Sequence, residues 1–132
     1  MPLIVTMRVP ATIAALEGAC EGLASLNYQI MHRSGLGGED FPPLYQSGIV
    51  YRREQMGAER WQGAGELLRS GMGDCEDLAA YRAAELRMEG EPATVGVIRT
   101  RRGSFHAVVR RADGSIEDPS RILLALEAAH GR

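Results

Sequence analysis

The 132-residue sequence predicts an α+β fold built around an antiparallel sheet. Three observations carry the prediction. Apolar residues recur at three- and four-residue steps between Ala11 and His32, a stretch of strong helix formers follows Cys75, and the chain then turns to short alternating segments separated by turn residues. Strands and helices do not alternate regularly, and such local helical and meander-like pieces point to α+β with an antiparallel sheet. A chain of this length fits one domain, residues 1–132, and can bury a core without metals or disulfides.

"LIVTMRV" opens the chain with Leu3, Val5, Met7 and Val9 alternating against Thr6 and Arg8, the pattern of a half-buried strand closed by Pro10. In the helix that follows, Ile13, Leu16, Cys20, Leu23, Leu26 and Ile30 form the apolar stripe, and Cys20 on it reads as a packed core thiol. Residues 33–48, "RSGLGGEDFPPLYQSG", are rich in Gly and Pro and read as a long loop. A short strand or turn is expected near Ile49 to Arg52, and a short helix from Ala64 to Arg69 stopped by Gly71. The next helix runs from Cys75 to Met88 and ends before Gly90. "ATVGVIRT", "SFHAVVRR" and "IEDP" are strands, Pro119 ends the last, and Ser120 is the expected N-cap of the closing helix "SRILLALEAAH".

Charge and targeting patterns narrow the function. A formal charge of -2 leaves no positive field for nucleic-acid binding. The N-terminal apolar run is too short for a secretion signal, and nothing resembles a membrane span, so the expected location is cytoplasmic. Two cysteines without an export signal read as free thiols. All 15 basic residues are Arg, which codon bias explains.

The stretch "GMGDCEDLA", Gly71 to Ala79, carries the strongest chemical signal. With Asp74 as N-cap, Cys75 is the first helical residue and Asp77 the third, a D-x-x-D capping arrangement. The helix dipole favours a thiolate there, while Asp74, Glu76 and Asp77 oppose it. On these residues alone Cys75 reads equally as a reactive thiol or as a small buried filler beside a cap. A cationic partner decides between them. His32 and His130 sit near helix ends, whereas His106 lies inside a strand with Asp118 across a hairpin. Cys75 as nucleophile, with its backbone N–H aimed at an oxyanion, His106 as base and Asp118 as orienter satisfy the requirements of acyl transfer.

The turn decides whether that arrangement is possible. A two-residue Asp-Gly turn in "RADGS" would set Asp118 opposite Val109, on the face away from His106. A three-residue loop, Ala112-Asp113-Gly114, pairs Arg111 with Ser115 and sets Asp118 opposite Val108, diagonal to His106 at ~7–8 Å between backbones. The three-residue loop, with positive φ at Gly114, is the expectation.

The set Trp61, "GELL", "GMGDCEDLAAYRAAEL", "FHAVV" and "EDPS" resembles the transglutaminase-like cysteine protease superfamily, in its short bacterial and phage-encoded members, over roughly residues 45–121. The resemblance implies a papain-like core, the nucleophile-bearing helix packed on an antiparallel sheet, and a Cys75–His106–Asp118 triad acting on a protein or peptide substrate. Charge and hydropathy set the expectation of no nucleic acid and no membrane, no cofactor or catalytic metal is expected, and virion association is expected if the chain is phage-encoded. Some relatives hold calcium beside the cysteine, which maps to Asp74 and Glu76; helix capping is the simpler role for both. Relatives also add a side-chain oxyanion donor. Trp61 reads as a core anchor, leaving Tyr45, Gln46, Tyr51 and Gln62 as candidates. The alternative to an enzyme is a non-catalytic binding or phage-assembly module that keeps the fold.

Overall fold

The structure, a computed structural model, describes residues 8, 10–34, 41–53 and 60–131. The strand expected over residues 3–9 lies, apart from Arg8, outside the described residues, as do residues 35–40 of the loop expected at 33–48; that loop's first two residues belong to the first helix and Leu44–Gln46 form a 3-10 turn. The observed order is helix α1 (Ile13–Ser34), a 3-10 turn (Leu44–Gln46), β1 (Val50–Tyr51), α2 (Ala64–Ser70), β2 (Met72–Gly73), α3 (Cys75–Met88), β3 (Thr94–Arg99), β4 (Phe105–Arg110), β5 (Ile116–Glu117) and α4 (Pro119–Ala129). The fold is α+β, with a three-stranded antiparallel sheet in the order β3-β4-β5. A second, parallel pair joins β1 to β2, with Tyr51 opposite Gly73. That pairing is invisible to periodicity because each strand is two residues long.

Helix α3 is the spine. Its residues Cys75, Ala79, Ala80, Ala83 and Leu86 join Cys20 and Ala24 of α1 and Val95, Val97, Ala107 and Val109 of the sheet in one core. Its other side, through Leu78, Tyr81 and Ala84, packs with Leu44, Ile49, Leu67 and Leu123 in a second. The alanines keep neighbouring backbones close, and burial on both sides explains why α3 shows no amphipathic stripe in sequence. Trp61 packs against the first core as an anchor.

The buried stripe of α1 differs from the expected one. Cys20, Ala24, Asn27 and Met31 are buried and Leu26 is exposed. Asn27 is taken inward because its side-chain carbonyl accepts the Ala64 amide at 2.9 Å, at the start of α2. Gly71 closes α2 in the left-handed conformation. Gly73 is required by space: a Cβ there would lie 2.6 Å from Leu67 Cδ1 and 3.2 Å from Asp77 Cβ. Among the described residues no helix is long and apolar enough to cross a membrane.

Candidate active site

The start of α3 forms as the D-x-x-D pattern predicts. Asp74 is the N-cap and the reciprocal capping box with Asp77 is complete. Asp77 is fully buried, and its carboxylate accepts the amides of Gln62 at 2.7 Å and Asp74 at 3.1 Å. These bonds fix the backbone that carries Cys75.

The hairpin between β4 and β5 also has the expected geometry. Gly114 donates to the Arg111 carbonyl at 3.0 Å, Arg111 donates to Ser115 at 2.8 Å, and Gly114 has φ 88°. Asp113 accepts the Ser115 amide at 2.9 Å and secures the turn. The register is Val109 to Glu117 and Arg110 to Ile116. Carried one residue further, it sets Asp118 opposite Val108 and on the face of His106. The imidazole Nε2 and the Asp118 Oδ2 are 2.9 Å apart. Binding through Nε2–H leaves Nδ1 as the nitrogen able to take a proton.

Asp118 also caps α4, accepting the Arg121 amide at 3.3 Å through Oδ1. This corrects the assignment of Ser120. Pro119 occupies the first helical position, where its missing N–H costs nothing, so the cap falls one residue before it.

Cys75 reaches β4 through the backbone. Arg111 directs its N–H toward β5, and strand alternation points the amides of Val109 and Ala107 to the same edge. Because β5 stops at Glu117, opposite Val109, the Ala107 amide lies just past the ladder, and there it donates to the Cys75 sulfur. The thiol thus sits beside the residue that follows His106. Thiol and imidazole share no hydrogen bond.

The electrostatics differ from the sequence expectation of a depressed thiol. Burial, foremost, and then the Glu76 carboxylate push Cys75 well above the usual cysteine range; the Ala107 amide opposes them and Asp74 adds to them. Cys75, at 6% exposure, therefore rests as a neutral thiol. Cys20, fully buried, is pushed up to about 12 by burial and by Glu76, Asp77 and Glu17. For His106 the Asp118 hydrogen bond raises the imidazole above its ordinary 6.5, burial opposes, and Glu76 and Asp74 add to the rise. Burial pushes Asp118 up, but the imidazole and the Arg121 and Ser120 amides outweigh it and leave the carboxyl below its ordinary range. Asp74 and Glu76, which flank Cys75, act on His106 as well. The structure joins His106 to Asp118 by a direct bond, whereas Cys75 meets β4 at the Ala107 amide.

The oxyanion donors need correction. The Cys75 N–H is engaged by Asp74 Oδ1 at 2.7 Å, so it does not point into an empty site. Tyr45 donates its hydroxyl to Glu117, and Gln62 donates to the Met72 carbonyl and to Asp77. Gln46 is exposed in the 3-10 turn. Tyr51, brought to Gly73 by the parallel pair, lies in the field of Asp74, Cys75 and Glu76, and burial foremost raises its phenol. Asp74, Cys75 and Glu76 offer ligand atoms within 4.8 Å of one another. Two carboxylates, one already a helix cap, and a thiol do not suit calcium, which takes about six to eight oxygens.

No protein-family model, curated protein or solved structure matches the chain.

Proposed function

We propose that the chain is a thiol-dependent acyl-transfer enzyme acting on an amide bond of a protein or peptide, by hydrolysis in preference to glutamine transamidation, and a short member of the transglutaminase-like superfamily with a papain-like core. The observation that carries the reading is the 2.9 Å His106–Asp118 bond made through Nε2, with the Cys75 sulfur on the neighbouring Ala107 amide. In this reading Nδ1 of His106 accepts the thiol proton as the Cys75 sulfur attacks the carbonyl carbon. The imidazolium, held by Asp118, then protonates the departing amine, and water enters by the reverse path. A neutral resting thiol makes proton transfer part of the attack. Tyr51 is the oxyanion donor in this scheme. Ile98, opposite His106 on β3, is exposed and gives the site an apolar flank for substrate.

Digestion of a peptide library by the native chain and by Cys75→Ala tests the reading. Products from the native chain alone support it, and identical products overturn it. Brief alkylation adds a second measure: Cys75 is expected to label before Cys20, and His106→Ala to slow Cys75 alone. The low exposure of the thiol favours the second reading, a binding or phage-assembly module that keeps the fold. That reading predicts equal, slow labelling with and without His106.

A further inference from the structure

Strand β5 pairs with β4 through only two residues, Ile116 and Glu117, yet Asp118 must be held within hydrogen-bond distance of His106. A two-residue ladder is a weak constraint on the residue after it. The additional restraint comes from the other face. Glu117 points toward α3, where its carboxylate accepts Arg82 Nε at 2.6 Å, Arg111 Nη1 at 2.8 Å and the Tyr45 hydroxyl. Arg82 is in turn bound by Glu85 and lies over the Tyr45 ring at 4.9 Å. Glu85 accepts the Leu44 amide at 2.7 Å. Arg82 and Glu117 both have side chains only 14% exposed. The cluster thus fastens the end of β5 to the middle of α3, the helix whose first residue is Cys75.

We propose that Arg82, Glu117 and Tyr45 are positioning residues for the candidate site: by fixing Glu117 on the helix side of the strand they fix Asp118, one residue on and facing the other way, against His106. None of the three touches the thiol or the imidazole. Pleat alternation transmits the restraint, because a rotation that released Glu117 from α3 would swing the next carboxylate off the imidazole. The inference rests on reading His106 and Asp118 as base and orienter, but its test does not need turnover.

The test follows the His106 imidazole by NMR as pH is varied, with His106→Gln used to assign its signal among the three histidines. The other groups in its field, Asp118, Glu76 and Asp74, remain in every variant used. Arg82→Met removes a positive charge, which by direct electrostatics would raise the imidazole pKa. Loss of positioning instead lowers it toward 6.5, by about 0.5 unit or roughly threefold in the protonation constant. A fall supports the proposal, with Arg82→Lys restoring part of it; a rise or no change overturns it. Tyr45→Phe, which changes no charge, is expected to give a smaller fall and decides the matter should Arg82→Met not fold. A purely structural role would lower the melting temperature of these variants and leave the imidazole titration unmoved. An inactive native chain would sink the enzymatic reading while leaving the outcome of the NMR titration standing.

Discussion

Glu117 and Asp118 are consecutive carboxylates with opposite surroundings. Glu117 faces α3 and is held by two arginines and a phenol. Asp118 faces the other way, holds one imidazole and the first turn of α4, and has a side chain 30% exposed. The first is saturated by partners that are themselves tied to other elements. The second has a partner, His106, with one nitrogen still to use. A carboxylate surrounded on every side by fixed donors serves geometry, whereas one that fixes a half-occupied imidazole can serve chemistry.

Removing each acid in turn should separate the two roles. Glu117→Ala leaves Arg82 and Arg111 short of a partner in a largely buried cluster and is expected to cost about 2–3 kcal/mol, at or below the low end for breaking a buried pair because some solvent reaches it. Urea unfolding measures this; a loss under about 0.5 kcal/mol would erase the contrast. Asp118→Asn retains a good helix cap and should cost less than about 1 kcal/mol. Its main effect falls on pH dependence. In the proposed mechanism the base is neutral imidazole, so the raised His106 pKa would set the acid limb of turnover above pH 6.5, and the Asn variant should bring that limb down toward 6.5 with a lower plateau.

Stability should show the same sign. A group whose pKa is raised by folding stabilises fully below its unfolded value and loses that contribution as pH rises through the folded one. Native stability should therefore decline from about pH 6.5 upward, and the Asn variant should show a flatter profile. At acid pH, the depressed Asp118 and Glu117 carboxyls lose their contributions as pH falls through their folded pKa values. The smallest effect belongs to the rim of the cluster. Glu91 pairs with Arg111 at 2.5 Å where water reaches both, so Glu91→Gln should leave the melting temperature near the native value.

Local signals make much of this legible in the sequence. The Asp74 cap needs only its own turn, Gly71 and Gly90 stop helices by their left-handed backbones, and the hairpin register follows from one loop length. What escapes depends on partners distant in the chain. The β1–β2 pair has no periodicity to read, Leu26 loses its place to Asn27 because a helix end elsewhere needs an acceptor, and no pattern links Tyr45 to Glu117 across 72 residues. The state of the thiol escapes for a similar reason. A helix start is visible in sequence; the depth at which the fold buries it is not.

One carboxylate, Asp118, is at once punctuation and proposed machinery. Its Oδ1 states where α4 begins and its Oδ2 states where the imidazole points. An inherited change that slid the start of α4 by a single position would therefore move two things together, and glutamate, one methylene longer, would serve neither address. The step from Asp118 to Pro119 is thus shared by the helix start and the imidazole pair, so neither can be shifted along the chain without the other.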